Sequence, residues 1–250
     1  MPAAKRFEAD PMQNTSYVAL SRQMTMAREL ELVANNIANA ETTAYRGERM
    51  MFTDFLHDPS DAPKTHFARD VAVVRNLAQG RPIETGAPLD VMIEGDGYFQ
   101  VETPFGPRYT RNGKFSTDVD GRLVSVTGDP VTAAGGGTIT VPLNDGPIRV
   151  GTDGTVATDA GPVAQIRVVN FESEYLLRKT QSGLYATDSQ PQDIDEPKVV
   201  QGMIEGSNVQ PVVEMTRMMT LLRAFEAAQN VIDTEHDNQR RAVERILRQA

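Results

Sequence analysis

Apolar residues recur with helical spacing at the N-terminal end of the chain. Residues 15–40 contain neither Pro nor Gly, so nothing in this stretch breaks a helix. The apolar positions that fall on one stripe are Tyr17, Leu20, Met24, Ala27, Ala34 and Ile37. The pattern predicts an amphipathic helix that extends about 40 Å, at 1.5 Å per residue.

The C-terminal end shows a second pattern of this kind. Residues 212–249 lack Gly and Pro, and Ser207, Gln210 and Pro211 before them are typical of a helix start. Apolar residues occupy an a/d heptad frame at Met215, Met218, Leu222, Phe225, Ile232, Val243 and Ile246. Polar residues interrupt this frame at Gln229, His236 and Gln239. The pattern predicts a helix of about 60 Å, which is long for a globular protein.

The middle of the chain has a different texture. Residues 77–206 consist of short β-type runs separated by turn dipeptides. The turns are predicted at Asp96-Gly97, Asn112-Gly113, Asp120-Gly121, Asp145-Gly146 and Asp153-Gly154. Residues 52–76 are polar and mixed, and we expect an irregular connector there. The pattern therefore predicts a β-rich domain between two terminal helices.

Two long amphipathic helices cannot bury their apolar stripes on one small β domain. We therefore expect them to pack against each other and to present the remaining apolar faces to other chains. The predicted fold class is α+β, with long N- and C-terminal helices that form a coiled-coil core domain and an inserted all-β domain. The predicted boundaries are a disordered extension at 1–11, the first helix and connector at 12–76, the β-rich domain at 77–206 and the last helix at 207–250.

Composition narrows the function classes. A net charge of −9 over 250 residues gives no electrostatic footprint for nucleic-acid binding. No apolar run is long enough to cross a membrane, and the N-terminus lacks the apolar core of a secretory signal peptide. The absence of cysteine fits a cytoplasmic protein, and equally an exported protein that travels unfolded.

Motifs that carry chemistry are incomplete in this sequence. The Gly95-Asp96-Gly97 stretch lacks the third Gly of a dinucleotide fingerprint, and a hairpin turn explains it better. The histidines His57, His66 and His236 have no metal-like spacing. We therefore expect no catalytic residue, no metal, no cofactor and no small-molecule substrate, and we do not expect an enzyme.

Three asparagines near the end of the first helix raise a question of function. Asn35, Asn36 and Asn39 lie three and four positions apart, so they form a cluster, although Asn is a poor residue for a helix interior. They either fray the helix end or form a polar seam with neighbouring molecules. We expect an assembly interface at Asn35, Asn36, Ile37 and Asn39 in the first helix. In the last helix we expect it at Met215, Met218, Leu222, Phe225 and Ile232.

Three stretches resemble the flagellar rod and hook protein family. The stretch ELELVANNIANAETTAYRGERMMF resembles its N-terminal signature, and IEGSNVQPVVEMTRMMTLLRAFEAAQNVI resembles its C-terminal signature. LDVMIEGDGYFQV and RYTRNGKFSTDVDGRLVSVTGDPV resemble the start of its β domain. The opening of the first helix most resembles the proximal-rod members, and the distal-rod members are the rival. Ala44 stands where the family usually has Gly, which argues against a positive-φ turn there.

The resemblance implies a structural role in the bacterial flagellum. In this family the terminal helices line an inner tube as a coiled coil, and the β domain forms an outer layer. It implies export through the flagellar type III apparatus without a cleaved signal peptide, and assembly into the basal-body rod in the periplasmic space. The implied partners are other proximal and distal rod proteins, further copies of the chain and the export apparatus.

Two other function classes fit the same pattern of elements. The first is a secreted β-domain binding module, such as an adhesin, with coiled-coil ends. Its sparse aromatic residues argue against sugar binding, which usually relies on exposed rings. The second is a hydrolase in the β domain, for which no nucleophile–base pair is visible.

Overall fold

The chain divides into two compact units, each built from segments that are distant in sequence. The computed structural model describes residues 11–57, 65–142 and 145–249. The first unit holds the described residues of 1–38, 48–74 and 210–250, and the second holds Asn39–Gly47 and Arg75–Val209. Residues 1–10 of the predicted extension lie outside the described residues, and the predicted domain boundaries stay a prediction.

The first unit contains both α-helices. Helix α1 spans Pro11–Ala38, and helix α2 spans Pro211–Gln249. Strands β1 (Glu48–His57) and β2 (Thr65–Arg75) form a two-stranded sheet, of which only Arg75 belongs to the other unit. Residues that we predicted to form an irregular connector therefore include two strands, and that prediction is wrong.

The second unit is built from short antiparallel strands. Its strands are β3 (Pro82–Glu84), β4 (Val91–Ile93), β5 (Tyr98–Thr103), β6 (Gly106–Thr110), β7 (Ser116–Thr117), β8 (Leu123–Val124), β9 (Arg149–Val150), β10 (Thr155–Thr158), β11 (Gly161–Gln165), β12 (Val168–Asn170), β13 (Arg178–Lys179), β14 (Tyr185–Ala186), β15 (Gln192–Asp193), β16 (Val199–Gln201) and β17 (Met203–Glu205). The largest sheet has the strand order β13-β14-β6-β5-β12-β15, and a three-stranded sheet has the order β11-β10-β9. The remaining pairs are β16-β4, β17-β3 and β7-β8.

Strand β5 is an interior strand of the six-stranded sheet, and its first four residues are buried on both faces. Phe99 and Val101 belong to a mostly aliphatic core, whereas Tyr98 belongs to a separate, mostly aromatic cluster. Successive side chains of a strand point to opposite faces, so one strand supplies both cores. The Tyr98 ring meets the rings of Phe171 and Tyr185 edge-on, with centroids 6.0 and 5.7 Å away.

The predicted turn dipeptides are used in two different ways. Gly97, Gly121, Gly146 and Gly154 have positive φ, a conformation that glycine adopts without steric cost. Gly113 instead lies against β4, where an added Cβ would stand 1.7 Å from the carbonyl oxygen of Val91. Four of the five predicted turn glycines therefore have a turn-type conformation, whereas Gly113 is explained by the close approach of two backbones.

The predicted fold class is wrong. The described residues hold two α-helices and a mostly β middle with a six-stranded sheet, and they show no coiled-coil core domain with an inserted all-β domain. The unit that holds the helices also holds β1 and β2, so it is not an all-helical core. A seam on the a/d frame requires buried a positions, but Met215 and Leu222 are 50% and 43% exposed.

The turn after α1 corrects a second expectation. Ala44 has a φ of 57°, so the positive-φ turn forms although the residue is not glycine. The Ala44 N–H donates to the carbonyl of Glu205 at 2.8 Å, and the residue is buried. A tertiary hydrogen bond therefore stabilises a left-handed conformation that has a steric cost for alanine.

Candidate assembly surface

Asn36 acts as a bracket between the end of α1 and the start of β1. Its side-chain Nδ2 donates to the carbonyl of Glu48 at 2.8 Å, and its Oδ1 accepts from the Glu48 N–H at 3.0 Å. Nδ2 also lies 3.4 Å from Oε2 of Glu214 in α2. Asn36 is 3% exposed, so its amide serves contacts within the chain. An amide suits this place because it both donates and accepts.

The other predicted residues of α1 are placed differently. Asn35 is exposed and Ile37 is half-buried. Asn39 follows the helix, where its carbonyl accepts from the Thr42 N–H at 3.1 Å and its Oδ1 accepts from the Thr42 hydroxyl at 3.2 Å. The structure therefore separates the cluster into a bracket, an exposed position and a turn residue. Their role in assembly stays a prediction.

Polar contacts give the register of the two helices in the first unit. Arg217 of α2 donates to Glu29 of α1, with Nη2 and Oε1 2.6 Å apart. The Gln23 amide is hydrogen-bonded to that of Gln229. Later residues of α1 meet earlier residues of α2, so the two helices run antiparallel.

The predicted heptad frame of α2 divides between two sides of the helix. The d positions Met218, Phe225 and Ile232 are half-buried, as are Glu214 and Arg217, which bond to α1. The a positions Met215 and Leu222 are exposed. The half-buried residues repeat at spacings of four and three: Glu214, Met218, Leu221, Phe225, Ala228, Ile232 and Glu235. The half-buried side of α2 therefore consists of g and d positions of the heptad, whereas the prediction placed it at a and d positions.

An exposed apolar stripe lies on the first three turns of α2. Val212, Met215, Met219 and Leu222 stand at i, i+3, i+7 and i+10, so they share one face. Val212 and Met219 were not in the predicted interface. The sequence could have indicated both residues, because Val212, Met215, Met219 and Leu222 follow one another at spacings of three and four. We call these four residues the α2 stripe.

A buried polar network fixes the segment after α1 within the second unit. Nη1 of Arg46 donates to Oε2 of Glu174 at 2.7 Å and to the Tyr98 hydroxyl at 2.9 Å. The Tyr98 hydroxyl donates to the same Glu174 oxygen at 2.6 Å. Burial raises the pKa of Tyr98, and the hydrogen bond to Glu174 raises it further, while the charge of Arg46 opposes the rise. Burial lowers the pKa of Arg46, but the neighbouring Tyr98 and Glu174 outweigh this, so that pKa is raised.

A second buried ion pair lies in the same unit. Nε of Arg111 donates to Oε2 of Glu205 at 2.8 Å, and both side chains are almost fully buried. The remaining Arg111 nitrogens donate to the carbonyls of Gly97 and Gly95 at 2.6 and 2.8 Å. Oε1 of Glu205 accepts from the Gly80 N–H at 3.1 Å. These partners offset the cost of burying both charges, and the pair joins four chain segments.

Asn208 ties two other segments of the second unit to its own. Its Oδ1 accepts from the Gly47 N–H at 2.8 Å, and its Nδ2 donates to the carbonyls of Asn76 and Ala78 at 3.0 and 2.7 Å. Its N–H donates to the carbonyl of Tyr45 at 3.2 Å. Sequence reasoning missed both this residue and the buried ion pairs, because long-range partners leave no local pattern.

The described residues hold no arrangement that suggests metal chemistry or a membrane span. No three His, Cys, Asp or Glu side chains among them are placed to hold a metal ion. In that same part of the chain, neither helix combines the length and the apolar character that crossing a bilayer requires.

Comparisons with known proteins match all three regions of the chain. Residues 17–46 match the family described as Flagella basal body rod protein, and residues 92–158 match the Flagellar hook protein FlgE/F/G D1 domain. Residues 200–245 match the Flagellar basal body rod FlgEFG protein C-terminal family. The flagellar basal-body rod protein FlgF of Caulobacter vibrioides is 41% identical over 241 residues, which cover 94% of this chain and 98% of the relative. The chain belongs to the flagellar basal-body rod protein family.

Further relatives of this rod family extend the comparison. The FlgF protein of Mesorhizobium japonicum is 38% identical over 86% of this chain and 90% of its own length. The FlgG protein of Agrobacterium fabrum is 33% identical over 82% of this chain and 88% of its own length. The FlgF relatives thus match with higher identity than this FlgG relative, and the resemblance seen in the sequence is confirmed. The α2 stripe and Asn208 both lie within the matched C-terminal segment of the rod family.

Proposed function

We propose that this rod-family chain is a structural subunit of the bacterial flagellar basal-body rod, of the FlgF type and in the proximal part of the rod. The observation that carries the proposal is the 41% identity to a FlgF protein over nearly the whole length of both chains. A subunit of this kind acts by packing, and it carries out no chemical reaction. Its partners are neighbouring rod and hook proteins, further copies of itself and the flagellar type III export apparatus. It works in the periplasmic section of the basal body.

The exposed side of α2 is the surface that we assign to assembly. Of the predicted interface residues, Met215 and Leu222 lie in the α2 stripe, and Asn35 is exposed on α1. Large exposed apolar residues in a row are costly in water and are typical of sites that pack against a partner. Met218, Phe225 and Ile232 instead support assembly indirectly, because their half-buried side chains hold α2 in place within its unit.

Deleting the gene tests the proposed role. We expect non-motile cells whose rods, imaged in purified basal bodies by electron microscopy, stop within the proximal section. A full-length copy restores swimming, and a copy lacking residues 212–250 does not. Normal flagella and normal swimming in the deletion strain would contradict a structural rod role. Rods whose proximal section is complete, and which lack only the distal section, would instead favour the FlgG type.

A further inference from the structure

The ends of three elements lie next to one small group of residues in the second unit. Gly47 directly precedes β1, Asn76 directly follows β2, and α2 begins three residues after Asn208. Together with Tyr45 and Ala78, these residues form a hydrogen-bonded cluster that we call the clasp. Gly47, Asn76 and Asn208 each lie within one residue of a place where the chain passes between the two units.

Hydrogen bonds join each of the three segments of the clasp, 45–47, 76–78 and Asn208, to both of the others. Asn208 bonds to the carbonyl of Tyr45 and to the N–H of Gly47, at 3.2 and 2.8 Å. Its side chain donates to the carbonyls of Asn76 and Ala78 at 3.0 and 2.7 Å. The Asn76 N–H closes the triangle, because it donates to the carbonyl of Gly47 at 2.7 Å.

Asn208 is the hub of the clasp, because it takes part in four of these five hydrogen bonds. Its amide both accepts and donates, whereas an aspartate in its place could only accept. Asn76 and Ala78 are exposed, so burial of their side chains contributes little to holding segment 76–78. Hydrogen bonds that compete with water are individually weak, and the bonds of one network reinforce each other, so the clasp is most stable when all five are formed.

We propose that the clasp opens and closes as one cooperative unit, with Asn208 as its hub. In the closed state it holds together the start of β1, the end of β2 and the start of α2. Proteins open locally in such small cooperative groups while the rest of the fold stays closed. A load that reaches one of the three elements is then shared by all three. This mechanical role rests on the proposed rod function, whereas the cooperative opening does not depend on it.

Amide hydrogen exchange of the full-length chain tests the cooperative opening. Asn208→Ala removes the acceptor of the Gly47 N–H, but the Asn76 N–H keeps its own acceptor, the carbonyl of Gly47. A cooperative clasp predicts that the Asn76 N–H nevertheless exchanges about tenfold faster or more. The Val131 N–H, which donates to the carbonyl of Leu123 in the core, is the internal reference, and its exchange should stay unchanged.

Asn208→Asp separates the two functions of the amide. The carboxylate still accepts from the Gly47 N–H, but it cannot donate to the carbonyls of segment 76–78. A cooperative clasp predicts that the Gly47 N–H exchanges about tenfold faster in this variant too, although its acceptor is retained. Asn170→Ala is the matched control, because Asn170 is also half-buried and its Oδ1 accepts from the N–H of the adjacent Phe171 at 2.8 Å. This control should leave exchange in the clasp unchanged.

Three results would overturn the cooperative opening of the clasp. The first is faster exchange in Asn208→Ala at the Gly47 N–H alone, with the Asn76 N–H unchanged. The second is unchanged exchange of the Gly47 N–H in Asn208→Asp, since independent contacts predict that result. The third is equal acceleration of the Val131 N–H, because the clasp would then not open separately from the core.

Expression in the deletion strain tests the mechanical role of the clasp and keeps it apart from the proposed rod function. We expect cells with Asn208→Ala to lose swimming speed in viscous medium, where the flagellum works against a higher load. Cells with Asn170→Ala should swim like the wild type. Wild-type swimming of Asn208→Ala cells at every viscosity would overturn the mechanical role and leave the rod function standing. Normal swimming of the deletion strain itself would overturn the rod function, and with it the mechanical role, but not the cooperative opening.

Discussion

At the scale of single residues, buried polar side chains hold distant chain segments together, which the apolar pattern of the sequence does not predict. Asn36, Arg46 and Arg111 are buried, and each is held by two or more hydrogen bonds. Burial of a polar group is tolerated only when such partners replace water. These residues therefore fix where chain segments meet, and their removal is costly.

Replacing Asn36 by alanine tests the bracket. The change removes both hydrogen bonds to the Glu48 backbone, so we expect the free energy of unfolding to fall by about 2 kcal/mol. Glu31→Ala is the control, because this side chain of α1 is exposed, and it should change stability by about 0.5 kcal/mol or less. Urea unfolding followed by circular dichroism measures both. Equal losses from the two variants would show that Asn36 is not a bracket.

Tyr98 makes the stability of the second unit fall as pH rises in the alkaline range. Its pKa is raised by burial in the folded protein, so its contribution is complete below the ordinary tyrosine pKa of 10.0 and is lost as pH rises above it. Tyr98→Phe loses about 2 kcal/mol at neutral pH, because the hydroxyl bonds two charged groups. Above pH 10 the stability of both proteins falls as pH rises, but the slope is smaller for Tyr98→Phe. The difference between the two slopes is up to ~1.4 kcal/mol per pH unit.

Denaturant unfolding at a series of pH values between 7 and 11 measures this difference. Tyr175→Phe serves as the control at neutral pH, because the side chain is 64% exposed and its loss should leave stability unchanged. Identical alkaline slopes for the wild type and Tyr98→Phe would argue against the role of Tyr98.

At the scale of elements, the sequence pattern predicted that α2 is a helix but not which of its sides faces α1. The absence of Gly and Pro and the apolar spacing predicted both helices, because these features act within the helix itself. The pattern could not say which side faces α1. Apolar residues lie on both sides of α2, and the choice depends on Asn36 and Glu29 of the other helix.

The strands and turns show the same limit. Turn dipeptides predicted the β-rich middle, since their chemistry is local. They could not predict the strands at 48–57 and 65–75, where polar and apolar residues are mixed. Nor could they predict the left-handed turn at Ala44, which a hydrogen bond to the distant Glu205 supports.

The two sides of α2 predict two different kinds of defect. Phe225→Ala removes half-buried apolar surface, so we expect the monomer to lose about 2 kcal/mol of stability, less than for a fully buried phenylalanine. Leu222→Ala removes a side chain that is 43% exposed, and should cost the monomer about 1 kcal/mol or less. Leu222→Ala should nevertheless weaken self-association more than Phe225→Ala does.

Thermal unfolding and sedimentation velocity on the same two samples measure these effects. A monomer that is destabilised equally by both changes, with equal loss of association, would mean that the two sides are not functionally distinct.

At the scale of the whole molecule, one chain combines a unit that has a row of exposed apolar residues on one helix with a unit that two buried ion pairs hold together. The α2 stripe lies in the first unit. The Arg46–Glu174 and Arg111–Glu205 pairs lie in the second. A structural subunit needs both properties, because it must hold its own shape and also pack against neighbours. Membership of the flagellar rod family agrees with this division of labour.

The most direct test is to add a charge to the α2 stripe inside the cell. Leu222→Asp and its matched control Thr220→Asp each add one carboxylate to an exposed position of α2, but Thr220 lies outside the α2 stripe. Both are expressed in the deletion strain, and purified basal bodies are imaged by electron microscopy. We expect truncated rods and no swimming with Leu222→Asp, and complete rods with Thr220→Asp. Complete rods and normal swimming with Leu222→Asp would contradict assembly of the rod through this face of α2.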